Sequence, residues 1–222
     1  MQQSSQPVVS SQAGIHPQLT ARVLRHRDHR WQRPVADHSR RAFAVAGQRA
    51  AAHSGSLILD AGCGTGASSL CLARRCGDAL VIGVDKSQAR LGRGLDGPRP
   101  DNLLLLRADL VDFWRLAAEA GWQLARHCIF YPNPWPKPGH LGRRWHAHPV
   151  LPSLLALGGE LELRTNWETY AMEWEVALML HGWSVRREIV TADAAAVVSP
   201  FERKYLASGH HCWRVLAADP ER

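Results

Sequence analysis

Four short stretches carry side chains whose types and spacing suit chemistry. In LILDAGCGTG (residues 57–66), Asp60 stands two positions before Gly62, which is followed by Gly64 and Gly66. Two further apolar runs, ALVIGVD and NLLLLRAD, end in Asp85 and Asp109. In YPNPWPKPGH (131–140) every second residue is proline, framing Asn133, Trp135 and Lys137. Glycines after a strand allow a tight turn and let a ligand approach the backbone closely. A carboxylate just before that turn is a poor neighbour for a pyrophosphate and a good one for an ammonium group. Asp85, 23 positions after Gly62, is spaced to grip two ribose hydroxyls, and Asp109 to reach an adenine amino group. Alternating prolines remove backbone donors and push each preceding residue toward extended geometry. They leave exposed carbonyls and a fixed Asn133 beside Trp135, on which a flat base can stack.

An ammonium, a ribose and an adenine together describe S-adenosylmethionine. A nicotinamide dinucleotide stays open, because G-x-G-x-x-A also fits at Gly62, Gly64 and Ala67. So does the plainer reading that strand-end acids cap the following helices, and that YPNPWPKPGH is a rigid loop with Trp135 in the core.

The elements that must position these residues alternate. SLILDAGCGTG, ALVIGVD, NLLLLRAD, ARHCIFYP and GGELELRTN read as strands, with WSVRREIV and HHCWRVLA as two later ones. Helical spacing fills ASSLCLARRC, about 86–93, 110–120, 149–156 and 168–181. Strands alternating with helices predict an α/β fold with a mostly parallel sheet and helices on both faces. Ligands of such sheets bind at the strand C-termini, where all four stretches lie. Upstream, PQLTARVLRHRDHRW predicts a basic helix from Pro17, and DHSRRAFAVAGQRAAAH a second with Asp37 as N-cap. The domain expectation is a basic extension over 1–50, disordered to about residue 16 and then helical, followed by the α/β domain over 51–222.

Composition narrows the function classes. The 222 residues carry a net charge of +7, and 45% are hydrophobic, an ordinary value for a globular domain. Residues 1–50 hold eight arginines (22, 25, 27, 30, 33, 40, 41 and 49) against Asp28 and Asp37, while residues 51–222 are nearly balanced. A basic arm on a neutral domain suggests a polyanionic partner. Arginine-rich codon bias and a cleaved targeting peptide are the alternatives. Five cysteines without Cys-x-x-Cys argue against a disulfide framework or a zinc site, and HLGRRWHAH lacks zinc-helix spacing, so no metal is expected. No apolar run approaches the ~18 residues of a membrane span, and no signal peptide opens the chain. The expectation is a cytoplasmic protein without membrane contact, as monomer or homodimer.

The glycine loop with its acids resembles motif I of the Rossmann-like methyltransferases, whose sheet has seven strands. YPNPWPKPGHLGRR, RTNWETY and SPFERKYLASGH follow in that order. Together they resemble the bacterial tRNA (guanine-N7)-methyltransferase family, with its P-D-P-W-x-K-x-R-H-x-K-R-R, T-D-W-E and T-x-F-E motifs. The resemblance implies a Rossmann-like, S-adenosylmethionine-dependent enzyme that methylates guanine N7 in the variable loop of tRNA. It assigns Asp60, Gly62, Gly64, Gly66, Asp85, Asp109 and Asn133 to the cofactor, and Asn133 and Trp135 to catalysis. Lys137, His140, Arg143, Arg144, Thr165, Asn166, Glu168, Ser199, Phe201 and Glu202 fall to the substrate. The chain departs from the family at Asn133 and Asn166, where the motifs have aspartate, at Gly139 and Gly142, where they have basic residues, and at Ser199, in place of threonine. The same fold with another acceptor, and a catalytically silent cofactor- or RNA-binding paralogue, are the alternative readings.

Overall fold

Continuous apolar runs such as LVIGV suit strands covered on both faces, and Leu80–Asp85 is buried at all six positions. In the computed structural model, which describes residues 5–29, 31–93, 95, 97–191 and 198–219, each such run is a strand. Helices α1 (Leu19–Arg27) and α2 (Asp37–Ala51) come first. Then follow β1 (Leu57–Ala61), α3 (Ala67–Arg75), β2 (Leu80–Asp85), α4 (Gln88–Leu91), β3 (Leu103–Arg107), α5 (Leu110–Glu119) and β4 (Arg126–Phe130). After two 3-10 turns, Pro138–Arg143 and Trp145–Ala147, come α6 (Leu151–Leu155), β5 (Glu160–Thr165), α7 (Glu168–Leu180), β6 (Ser184–Ile189), α8 (Pro200–Ala207) and β7 (Trp213–Ala218). The seven strands form one sheet in the order β3-β2-β1-β4-β5-β7-β6. β1 pairs in parallel with β2 and β4, and β2 with β3. β7 runs antiparallel between β5 and β6. The expected α/β architecture with a mostly parallel sheet is the observed one.

The described residues divide into two compact units. One comprises Gln32–Phe130 with Ser153–Glu160; the other holds those of 1–31, 131–152 and 161–222. In the first, Phe113, Trp114 and Ala117 of α5 are fully buried, and Trp114 Nε1 donates to His127 Nε2 on β4 at 3.0 Å. Helix α2 packs on α5, where Phe43 meets Phe113 and Trp122. In the second, α7 buries Tyr170, Ala171, Trp174, Ala177 and Leu178, and α1 packs against it through Leu19 and Val23.

The upstream helices differ from expectation at their starts. α1 begins at Leu19, and Pro17 precedes it. The N-cap of α2 is Ala36 rather than Asp37. The Ala36 amide donates to Asp112 Oδ2 at 3.1 Å, so a carboxylate from α5 takes a group that a local cap would serve. Asp37 occupies the first turn, where its charge favours the positive end of the helix. Residues 5–16 form no helix or strand, yet Ser10 and Gln12 are hydrogen-bonded to residues far along the chain. Arg30, counted in the basic arm, lies outside the described residues, as do residues 1–4.

Candidate methyl-donor and acceptor sites

In the first unit β1 delivers Asp60 to the start of the glycine loop. The side chain is 1% exposed, and Oδ2 accepts from the Ser68 and Ser69 hydroxyls of α3, each at 2.6 Å. Oδ1 is buried with no hydrogen-bond partner among the described residues. Burial raises the carboxyl to about 6 against the pull of the two serines. Gly62, Gly64 and Gly66 all have positive φ, of 82°, 61° and 87°. At Gly66 a Cβ would lie 2.6 Å from Leu105 Cδ1, so glycine is required twice over. At Gly64 the nearest atom to a built Cβ is Arg90 Nη1 at 3.9 Å, so that face of the loop is open.

The other two acids are already engaged. Asp85 is 2% exposed; Oδ2 accepts from Gly64 N at 3.0 Å, and Oδ1 from Ser87 N at 2.7 Å and from Arg90 at 3.1 Å. Asp109 caps α5 by accepting from Val111 N at 2.9 Å, with Arg33 3.6 Å from its second oxygen. The capping alternative is therefore true of Asp109, although a capping carboxylate retains lone pairs. The cluster fits S-adenosylmethionine. An unpartnered buried carboxylate oxygen beside an open glycine turn complements an ammonium group, and Asp85 fits a ribose once Arg90 gives way.

In the second unit the proline segment departs from the extended geometry expected before proline. Tyr131 and Trp135, each followed by proline, have φ of 51° and 48°. Left-handed backbone at non-glycine residues costs on the order of 1–3 kcal/mol each and persists where surroundings enforce it. Tyr131 is held at both ends: its amide donates to Arg164 O at 2.8 Å and its hydroxyl to Glu202 Oε2 at 2.8 Å. Asn133 Oδ1 accepts from Trp135 N at 3.2 Å, which makes the turn and fixes the amide as expected. Trp135 is half-buried, with His140 edge-on at 5.5 Å and the Arg143 guanidinium 4.8 Å from its ring centre.

Arg144 requires a correction. It is fully buried and cannot reach a phosphate. It donates to Glu173 Oε2 at 2.6 Å, to Gln12 Oε1 at 3.0 Å and to the carbonyls of Trp135 and Lys137 at 3.2 and 3.4 Å. Its guanidinium also lies 4.9 Å from the Trp167 ring centre. It is a clamp that grips the proline segment by its carbonyls. Glu173 completes the clamp, with His146 Nε2 at 2.9 Å from Oε2, and Gln12 Nε2 and His16 N donating to Oε1 at 2.7 and 2.9 Å. Burial alone would raise Glu173, but His146 and Arg144 outweigh it and hold the carboxyl at about 2.

Three more assigned substrate residues turn inward. Glu202 is fully buried, and Oε1 accepts from Arg164 Nη1 at 2.7 Å and from Val198 N at 3.3 Å. Ser199 caps α8 by accepting from Glu202 N at 3.2 Å, with Pro200 in the first turn. Thr165, 1% exposed, accepts from Trp167 N at 3.2 Å. They support the segment rather than face a substrate. Asn133, Lys137, Arg143 and Phe201 remain exposed, and Asn166 lies 3.4 Å from His210 Nδ1. Glu168 pairs with Arg187 at 3.3 Å. Sequence reasoning missed Tyr131, Arg164, Gln12 and Glu173. Glu173 was detectable as an acid in the buried run of YAMEWEVALML, and S-P-F-E as a Ser-x-x-Glu capping box.

Comparison with known proteins agrees with this chemistry. The family model described as "Putative methyltransferase" matches residues 54–215. A tRNA (guanine-N(7)-)-methyltransferase of Leifsonia xyli is 31% identical over 68% of this chain and 71% of its own. One of Anaeromyxobacter dehalogenans is 34% identical over 72% of this chain and 84% of its own. Among solved structures, a 16S rRNA (adenine(1408)-N(1))-methyltransferase from Catenulisporales acidiphilia with its cosubstrate SAM superposes with a TM-score of 0.56. At 20% identity, over 81% of this chain and 93% of that one, it shows the shared fold. With its glycine loop, three strand-end acids and ordered downstream motifs, this chain belongs to the tRNA (guanine-N7)-methyltransferase family of S-adenosylmethionine-dependent enzymes.

Proposed function

We propose that this protein methylates N7 of a guanine in the variable loop of tRNA. The carrying observation is the clamped turn at Asn133–Trp135, whose exposed amide and half-buried ring are held by a buried arginine. S-adenosylmethionine, when bound, supplies an electrophilic methyl on a sulfonium. Asp60 would hold its ammonium, the glycine loop would give it room, and Asp85 would take its ribose. Guanine N7 attacks with a lone pair, so no proton has to be removed and no general base is needed. The chain's contribution is position and electrostatics. Trp135 offers a stacking face, Asn133 and the proline carbonyls an edge to read, and Lys137 with Arg143 an exposed positive flank.

The product purine is cationic. Asn133 can orient it but not neutralise it, and a charge-assisted hydrogen bond is worth roughly 1.5–3 kcal/mol against roughly 0.5–1.5 for a neutral one. The test is radiolabelled methyl transfer to tRNA from cells lacking this modification, followed by nucleoside analysis. Label in 7-methylguanosine is expected. Cofactor binding without any such product would reject the reading, and label in another nucleoside would assign a different acceptor.

A further inference from the structure

Gly142 stands where the resembling family has a basic residue, and the structure fills that place from elsewhere. A Cβ built on Gly142 would collide with the guanidinium of Arg22. Arg22 projects from α1, and its Nε donates to Ala147 O at 3.1 Å. That bond aims the side chain and leaves both Nη groups without a hydrogen-bond partner among the described residues. Beside it opens a pocket of about 360 Å³ lined by His16, Gln18, Arg22, Gly139, Gly142 and Arg143 among others.

Among the described residues, no acidic side chain lines this pocket. Its Gln18 wall is the start of α1, a nine-residue helix with no side-chain cap and no acid in its first turn. Such a terminus carries partial positive charge, while its first amides are served locally, Leu19 N donating to His16 O at 2.9 Å and Gln18 N to His16 Nδ1 at 3.1 Å. Two guanidiniums and the positive end of α1 thus converge on one cavity, with the His16 ring bonded to the Gln18 amide in its wall. The His16 amide is tied to the buried Glu173 that also holds Arg144, so the pocket wall and the proline segment share one anchor.

We propose that this pocket binds a phosphate group of the RNA backbone, with Arg22 supplying the cation that position 142 lacks. Gly142 is then the vacancy that admits the Arg22 guanidinium, and the two form an exchanged pair. The identity of the phosphate as RNA rests on the tRNA reading above; the pocket's anion chemistry does not.

Two measurements on the full chain separate these. The first is thermal unfolding in sodium phosphate against sodium chloride at equal ionic strength. Phosphate should raise the midpoint of the wild-type chain. The rise should be lost in Arg22→Ala and in Gly142→Ala, which displaces only the flexible end of Arg22. It should return in the double variant Arg22→Ala/Gly142→Arg. An equal rise in wild type and Arg22→Ala overturns the proposal whatever RNA does.

The second is binding of an unmodified tRNA transcript across a salt series. Loss of one phosphate contact should reduce the slope of log K against log salt by about 0.7–0.9 in Arg22→Ala. An unchanged slope in a variant of otherwise tRNA-binding protein overturns the RNA assignment of the pocket. A wild-type chain that responds to phosphate through Arg22 but ignores tRNA supports the anion pocket and removes the tRNA reading.

Discussion

Asp60, as the proposed partner of the cofactor's ammonium, should make cofactor binding titrate. Its carboxyl is raised from 3.8 to about 6 by burial, and one oxygen lacks a partner. Raising an acid's pKa on folding means the folded state prefers the protonated form. The stabilisation is fully present below about 3.8 and is lost as pH rises through about 6. The cost to the empty protein above that range is about 3 kcal/mol at 1.36 kcal/mol per pKa unit. An ammonium group beside Oδ1 reverses the preference, because it pairs with the charged form alone. Cofactor affinity should therefore be flat above about pH 7 and fall as Asp60 takes up its proton. At pH 5, one unit below the titration, about a tenth of the molecules are ionised, so the dissociation constant should rise about tenfold. Asp60→Asn should bind weakly at every pH and show no titration in this window. Calorimetric titration of S-adenosylmethionine between pH 5 and 8 in buffers of different ionisation heats reads both the affinity and the released proton. A wild-type affinity that is constant from pH 8 to pH 5, with no proton release, would refute the pairing of Asp60 with the ammonium.

Arg90→Ala frees Asp85 Oδ1 from a partner that is 41% exposed. The half-exposed pair is worth roughly 0.2–1 kcal/mol, so cofactor binding should tighten by up to about fivefold in the same titration, and weakened binding would make Arg90 a cofactor contact instead. Arg144→Met leaves Glu173 and His146 without the cation they surround, at a cost of about 3–5 kcal/mol in denaturant unfolding; a loss below about 1 kcal/mol would refute the clamp. Asn133→Asp places a carboxylate beside the cationic product, and single-turnover methyl transfer should rise by about tenfold if that charge acts in the transition state. Ser199→Ala removes the cap of α8 and should lower stability by about 1 kcal/mol without changing cofactor affinity.

Chain-local patterns were enough for the seven strands and for every helix but α8. Apolar runs leading into an acid became β1, β2 and β3, and β2 shows the reason, since a parallel strand buried on both faces has no polar face to interrupt the run. The same locality made the glycine loop legible, since its acid, its turn and the start of its helix lie within eight consecutive positions, 60–67. The proline segment was legible as a stiff, carbonyl-rich turn, but its left-handed backbone at Tyr131 and Trp135 was not, because proline alone favours extended predecessors.

What folds over longer distances decided which polar residues face outward. Arg143 and Arg144 are adjacent and chemically identical, yet one lies exposed beside Trp135 and the other is sealed against Glu173, 29 positions away. Tyr131 and Glu202 meet across 71 positions, and Arg22 enters the space over Gly142 from a helix near the chain start. Burying a charge requires a partner, and that partner is supplied by packing rather than by neighbours in the chain. The chemistry available to this protein was thus written in short motifs, while the tertiary fold decided which members of those motifs stay exposed and which are buried to hold the others in place.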